Sequence, residues 1–419
     1  MIPTRAASPP VAMPRRGSRI PRGLRQVVNE TLRVCRDPAL LLWSLYILLF
    51  PLYIFKGGLP QPGDMLMLLL VPAVFMTGRN RLCRVGVRPT RWVILFTGYV
   101  ILVNLVWTVA QNAWTLNTKD GFLITSSYYI YNAIFFVCAL VLYTRYRERF
   151  LWLTLQVTLA TVVLQVLISL VMPDEGGRGA VLFNNPNQLG YYAVLTASIL
   201  CLGRRKLGLG TLPATIGLLC SAYLALLSAS KASLGAVAIL VAVGLLTNPR
   251  FILVSVLGFM LLLVTSNRVT DAISAAQNRI ETDESNSFFE ERGYDRILGN
   301  KEYWLFGAGE GGYRRFKDTT VIGSHELHSS AGTIFFCYGI IGTILFIQFG
   351  WTVVRGGRFK YVLILLPAAA YGLTHQGLRF TLLWVLLALF VALKDYERRP
   401  SPAAVNRQPP FHPVGARSQ

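Results

Sequence analysis

Long apolar runs separated by short basic loops are the feature that most restricts how this chain can fold. Of its 419 residues, 53% are hydrophobic and only 15% are charged, and the mean hydropathy is +0.48. A soluble globular chain carries about 25% charged residues. One water-surrounded core cannot bury so many apolar runs, so a lipid bilayer has to solvate most of them.

Twelve apolar runs indicate membrane-spanning helices, because a segment inside a bilayer must satisfy its own backbone hydrogen bonds. The runs cover residues 39–55, 65–77, 92–110, 128–143, 151–172, 189–202, 212–227, 234–246, 251–265, 333–354, 361–373 and 378–393. The sequence therefore predicts an all-α polytopic membrane protein with about 12 transmembrane helices. It also predicts one large periplasmic loop that contains helices of its own.

The basic residues predict the orientation of these helices. Lys and Arg follow every even-numbered run, in segments 79–91, 145–149, 204–206, 250, 355–360 and 394–399. Cytoplasmic loops carry such an excess, so both termini are expected in the cytoplasm, and the chain is expected to be a multi-pass protein of a bacterial inner membrane. The net charge of +21 does not indicate a nucleic-acid partner, because no recognised nucleic-acid motif accompanies it.

The predicted organisation has three parts. Residues 1–37 form a basic, disordered cytoplasmic arm, in which residues 1–36 hold eight Arg and one acidic residue. Residues 38–395 form the transmembrane domain, which includes the periplasmic loop at 266–330. Residues 396–419 form a disordered cytoplasmic tail. Within the loop, apolar spacing favours a helix over 269–280 and a second helix over 288–298.

Histidine and arginine in the periplasmic loop are the strongest candidates for chemistry. His325 and His328 precede the tenth apolar run with a spacing that places both on one face of a helix, and histidine is the natural general base at neutral pH. Arg292 and Arg296 share one face if that segment is also helical. A phosphate or diphosphate is a suitable ligand, because guanidinium binds it through paired hydrogen bonds. The alternative is pairing with acidic neighbours, namely Glu290, Glu291 and Asp295.

Other polar residues lie at predicted outer ends of the helices. Lys231 follows the seventh run, where it either reaches the membrane interface harmlessly or binds an anion. Arg178 is a weaker anion candidate. Asn185 and Asn187 belong to an Asn-Pro-Asn turn that favours a structural helix start. Arg379 lies in the turn 375–379, for which a structural role is also favoured.

Metal and nucleotide chemistry have no sequence support. The six cysteines include no CxxC pair, so a zinc site is not expected. The chain has no Walker A motif and no DxD pair for holding a metal with a nucleotide sugar. No metal and no cofactor are therefore predicted.

Several of these motifs together resemble the O-antigen ligase and O-antigen polymerase superfamily. The stretch 183–190 is similar to the family's Asn-Pro-Asn element, and Ser230-Lys231 stands where members usually have Ser-Arg. The stretch 305–309 is similar to its Gly-x-Gly turn. His328, followed by Gly339 and Gly342, is similar to its His…Gly-x-x-Gly element. The resemblance covers residues 178–345 and implies a GT-C-like fold.

The resemblance implies metal-independent glycan transfer on the periplasmic face. The donor is a glycan linked to polyprenyl (undecaprenyl) diphosphate. The acceptor is a sugar hydroxyl of lipid A core in ligases of lipopolysaccharide biosynthesis, or another lipid-linked glycan in polysaccharide polymerases. His328 is then the general base, and Arg292 or Arg296 binds the diphosphate. Lys231 keeps the charge of the usual arginine but loses its fork geometry, and His325 has no counterpart.

Two alternatives to a ligase remain open from the sequence. A polymerase for O-antigen or exopolysaccharide has the same motifs. A transporter or flippase for lipid-linked sugars belongs to another class. It requires charged or polar residues within the spans and repeat symmetry, and the sequence offers little of either.

Overall fold

The computed structural model describes residues 37–55, 60–76, 80–115, 121–172, 178–207, 209–265, 267–282, 288–316 and 325–398. All regular secondary structure within these ranges is helical. The predicted basic arm, apart from Asp37, and the predicted tail beyond Arg398 lie outside the described residues.

Every predicted apolar run coincides with helical structure. In chain order the α-helices are α1 (Pro38–Leu49), α2 (Pro62–Met76), α3 (Arg84–Ala110), α4 (Leu123–Tyr146), α5 (Glu148–Val171), α6 (Pro186–Leu207), α7 (Thr211–Leu227), α8 (Lys231–Thr247), α9 (Pro249–Thr265), α10 (Asn267–Thr282), α11 (Phe288–Arg292), α12 (Tyr294–Gly299), α13 (Ser330–Val354), α14 (Phe359–Val362), α15 (Leu366–Thr374) and α16 (Thr381–Arg398). Short 3-10 segments lie at Lys301–Tyr303, Tyr313–Phe316 and Leu363–Leu365.

Within the described ranges, four helices are long and apolar enough to cross a membrane, namely α3, α4, α5 and α13. They contain 24 to 27 residues. At 1.5 Å per residue they span roughly 36 to 41 Å, which exceeds the ~30 Å hydrocarbon core of a bilayer. Shorter apolar helices accompany them, including α1, α2, α7, α8 and α9.

Large apolar side chains cover the outer faces of several helices. A protein in water rarely exposes contiguous apolar surface of this extent, whereas a lipid-facing surface requires it. The exposed side chains include Leu102, Val106 and Val109 of α3, Leu167 and Val171 of α5, Leu257 and Leu261 of α9, and Ile347 and Trp351 of α13. The surface is therefore that of a membrane protein.

One end of the helix bundle, called the basic end below, is joined through α16 and the ends of α4 and α13. Asp395 accepts from the Tyr143 hydroxyl at 3.0 Å and pairs with Arg147 at 3.3 Å. The Lys394 ammonium donates to the carbonyls of Thr352 and Arg355 at 3.3 and 3.1 Å. A lysine in this position satisfies carbonyls that the last turn of α13 leaves unpaired.

At the opposite end, called the loop end below, residues 304–309 dock on α13 at a kink. Gly339 has φ +63° and ψ −168° inside α13. The Ala308 and Gly309 N–H groups donate to the carbonyls of Phe336 and Cys337 at 2.9 and 2.8 Å. The Ile340 N–H, released by the kink, donates to the Trp304 carbonyl at 2.7 Å. The kink thus exchanges hydrogen bonds within the helix for bonds to the loop.

Two sequence expectations for the loop are wrong. The helix predicted over 288–298 is divided into α11 and α12 by Gly293, whose φ of +75° ends the first helix. Arg292 and Arg296 therefore do not share one helix face. His325 and His328 lie in a non-helical segment that precedes α13, so they share no helix face either. The predicted helix over 269–280 is confirmed as part of α10, which buries Val269, Ala272 and Ala276.

Replacing Gly339 with alanine should destabilise the protein. A Cβ there would lie 2.4 Å from the Leu305 carbonyl oxygen, in a backbone conformation that side chains disfavour. Strain and overpacking together predict a loss of roughly 2 to 5 kcal/mol. Gly350→Ala in the same helix is the matched control, because nothing lies within 4 Å of its added Cβ. Thermal unfolding in detergent should show a lower midpoint for Gly339→Ala alone, and equal midpoints would contradict the docking described here.

Candidate functional site

Arg178 joins two helix ends at the loop end. Its Nη2 donates to the Asn187 side-chain oxygen at 2.6 Å, and its Nε donates to the Ser228 carbonyl at 3.0 Å. Asn185 has the structural role that the sequence favoured, since its Oδ1 accepts from the Gln188 N–H at 3.0 Å in the first turn of α6.

Lys231 is the first residue of α8 and is exposed. The turn before it packs closely on α6, because a Cβ added to Gly190 would lie 2.8 Å from the hydroxyls of Ser228 and Ser233. The Asn-Pro-Asn element and the Ser-Lys element are therefore neighbours, and Lys231 lies at the same end of the bundle as Arg178.

His375 connects this region to the start of α13. The Tyr371 hydroxyl donates to the Asn187 carbonyl at 2.7 Å, and the Tyr371 ring lies 4.8 Å from the His375 ring. The His375 carbonyl accepts from the N–H and the hydroxyl of Ser330 at 3.1 and 3.0 Å. Sequence reasoning assigned His375 to a structural turn. The available signal for a site residue was the position of His375, one of four histidines in the chain, between two apolar runs.

Two arginines and two histidines converge at this end. Burial, together with the charges of Arg292, His328 and Arg178, lowers the pKa of His375 to about 3. The side chain of His328 is exposed, and partial desolvation by the surrounding protein lowers its pKa, a shift that the Glu326 carboxylate opposes and Arg292 increases. The backbone N–H of His328 donates to the backbone carbonyl of Arg292 at 3.3 Å. Both imidazoles are therefore neutral at pH 7, beside cationic side chains that attract an anion.

Arg296 has different surroundings from Arg292. It is completely buried, whereas Arg292 is half-buried. The Arg296 Nη1 donates to the His325 carbonyl at 2.9 Å, and its guanidinium lies 5.3 Å from the Phe316 ring centre. Arg296 thus fixes the backbone of His325, while the His325 side chain itself is exposed.

A buried ion pair contacts the segment that carries His325 and His328, through Glu326. The Glu310 carboxylate, which is fully buried, binds Arg379 through Nε at 3.1 Å and Nη2 at 2.5 Å. Arg379 also pairs with Glu326 at 2.7 Å. The sequence placed Arg379 among secondary candidates and did not identify Glu310. The available signal was a single carboxylate surrounded by glycines in the stretch 307–312.

The described ranges contain no group of three or more His, Cys, Asp or Glu side chains that is placed to hold a metal ion. No protein-family model and no curated protein matches the chain.

Removing Arg292 should raise the pKa of His375, because a cation beside the imidazole is lost. NMR titration of 13C-labelled histidine should show that His375 stays neutral from pH 5 to 8 in the wild type. In Arg292→Ala its pKa should move upward, whereas Arg314→Ala, an exposed arginine of the same loop, should leave it unchanged. A wild-type His375 that titrates near pH 6.5 would contradict the proximity of these groups.

Proposed function

We propose that the chain is an inner-membrane glycosyltransferase of the O-antigen ligase type. It transfers a glycan from a polyprenyl (undecaprenyl) diphosphate carrier to a sugar hydroxyl of lipid A core. One arrangement carries the proposal: Arg178 binds the Asn187 side chain at 2.6 Å, and the Asn187 carbonyl binds Tyr371, whose ring lies 4.8 Å from that of His375. The charges of Arg178 and Arg292 both act on the His375 imidazole, and the backbone N–H of His328 donates to the Arg292 carbonyl at 3.3 Å. A diphosphate needs cationic ligands, and an acceptor hydroxyl needs a base that is not protonated.

The proposed topology has twelve spans, with the basic end in the cytoplasm and the loop end in the periplasm. Its support is the alternation of basic loops and the placement of all candidate site residues at the loop end. Polyprenyl chains are apolar, and the exposed apolar side chains of the bundle offer them a compatible surface. The diphosphate would then lie at the level of Arg178, Arg292 and Lys231.

The proposed reaction is a substitution at the anomeric carbon. His328 takes the proton from the acceptor hydroxyl as its oxygen forms a bond to that carbon. The bond between the carbon and the carrier diphosphate breaks, and the diphosphate leaves with the bonding electrons. Arg292 and Arg178 stabilise the negative charge that grows on the leaving group. Because the leaving group is already good, the residues present supply positioning, one base and cationic groups, and no cofactor is required.

Reconstitution tests the proposal and separates it from its alternatives. The protein is placed in liposomes with a lipid-linked glycan and offered either lipid A core or a second lipid-linked glycan. Glycan joined to lipid A core supports the ligase, and extended lipid-linked glycan supports the polymerase. Movement of the intact lipid across the bilayer without a new glycosidic bond supports the transporter and contradicts glycan transfer.

Two variants test the assigned roles. His328→Ala should lower kcat by roughly 10² to 10⁴, the usual contribution of a general base, with donor affinity unchanged. Arg292→Ala should weaken donor binding roughly 10- to 100-fold, since a hydrogen bond to a charged group contributes about 1.5 to 3 kcal/mol. Arg314→Ala is the control for the second variant and should change affinity less than about two-fold. Near wild-type transfer by His328→Ala would exclude the base, and unchanged affinity in Arg292→Ala would exclude the diphosphate role.

A further inference from the structure

We infer that Arg379 and Glu326 are positioning residues for His328, which connect the segment carrying this histidine to the buried carboxylate of Glu310. The inference rests on the proposed function, in which His328 is the base. Its support is a series of contacts that joins Glu310, in the centre of the bundle, through Arg379 to Glu326 in the segment that carries His328.

Glu310 is a buried charge with all of its acceptor positions engaged. Its Oε1 accepts from two nitrogens of Arg379, and its Oε2 accepts from the hydroxyls of Tyr129 and Tyr338 at 2.8 and 2.6 Å. A buried carboxylate is tolerated only when it is paired and hydrogen-bonded in this way. The donors come from α4, α13 and the turn between α15 and α16, so one carboxylate fixes three parts of the bundle.

The backbone of Glu310 is held as firmly as its side chain. Its N–H donates to the Asn104 side-chain oxygen at 2.9 Å, and its carbonyl accepts from the Thr125 hydroxyl at 2.6 Å. Both partners are completely buried. The position of Glu310 is therefore determined by α3 and α4. A group that binds its carboxylate is fixed relative to these two helices.

Arg379 binds both Glu310 and Glu326 and so links the buried carboxylate to a residue nearer the surface. The two nitrogens that bind Glu310 fix the plane of the guanidinium, because its nitrogens form a rigid fork. The remaining nitrogen, Nη1, binds the Glu326 Oε2 at 2.7 Å. The side chains of Glu310, Arg379 and Glu326 are 0%, 20% and 38% exposed, so the chain of contacts runs from the core towards the surface.

Glu326 lies two residues before His328 in a segment without helical structure. That segment has no intrahelical bonds of its own, so its position depends on contacts from outside. The Arg296 guanidinium donates to the backbone carbonyl of His325 at 2.9 Å. The backbone N–H of His328 donates to the backbone carbonyl of Arg292 at 3.3 Å. The bond from Arg379 to Glu326 is the contact that links this segment to the ion pair in the core.

The charge of Glu326 has a second effect at His328. Among the described residues, Glu326, Arg292, His325 and Arg296 act on this imidazole, and His375 is coupled to it as well. Of these groups, Glu326 favours the protonated form of His328. Removing the carboxylate should therefore move the pKa of His328 to lower pH. A purely structural clamp around Glu310 would predict no change in the titration of a histidine in this loop.

Three variants test the inference. Glu326→Ala removes both the contact with Arg379 and the negative charge. Glu326→Gln removes the charge but keeps an oxygen that accepts from Arg379. Glu302→Gln is the control at an exposed residue of the same loop. We expect Glu326→Ala to lower kcat at least ten-fold with the donor KM within two-fold. Glu326→Gln should retain at least a third of the wild-type kcat. In both Glu326 variants the acidic limb of the pH–rate profile should move to lower pH, and Glu302→Gln should match the wild type.

NMR titration of 13C-labelled histidine measures the same coupling without turnover. A fall in the pKa of His328 in both Glu326 variants, but not in Glu302→Gln, supports the inference. If the wild-type protein transfers no glycan, that absence of activity overturns only the proposed function. Wild-type kcat and an unchanged His328 titration in Glu326→Ala would overturn the inference. An equal loss of kcat in Glu326→Ala and Glu326→Gln would also contradict it, because the retained hydrogen bond would then contribute nothing to positioning.

Discussion

The buried carboxylate of Glu310 is the interaction on which the arrangement of the loop end depends. A charge inside a helix bundle is expensive unless every acceptor is satisfied, and here Arg379, Tyr129 and Tyr338 supply four donors. None of these partners is close to Glu310 in the chain. Their requirement for one another therefore sets how the stretch 304–316, α4, α13 and the turn before α16 meet.

Close backbone contact completes this arrangement. A Cβ at Gly307 would lie 2.3 Å from the Cys337 carbonyl oxygen, and one at Gly339 would lie 2.4 Å from the Leu305 carbonyl oxygen. Glycine at both positions lets the loop lie directly on the kinked helix. The stretches 305–309 and 337–342, which the sequence presents as separate motifs, therefore form one structural unit that supports the segment of His325 and His328.

The sequence predicted the helices well and the site only in part. Apolar runs located the helices because hydrophobicity is a local property that needs no partner. The break at Gly293 and the burial of Arg296 were missed because helical spacing was extended through a glycine with positive φ. Glu310 and His375 were missed because their importance comes from residues far along the chain. Arg178, Arg292, Lys231 and His328 were predicted from charge and side-chain chemistry; they lie at the loop end, and their roles stay predictions.

The proposed function requires the loop end of the protein to bind a lipid diphosphate. The most direct test is a cryo-EM map of the protein in lipid nanodiscs with undecaprenyl diphosphate bound. We expect density for the diphosphate within hydrogen-bonding distance of Arg292, beside Arg178 and His375, with the polyprenyl chain along the apolar outer surface. Diphosphate density at the basic end, near Arg147 or Arg355, would contradict it.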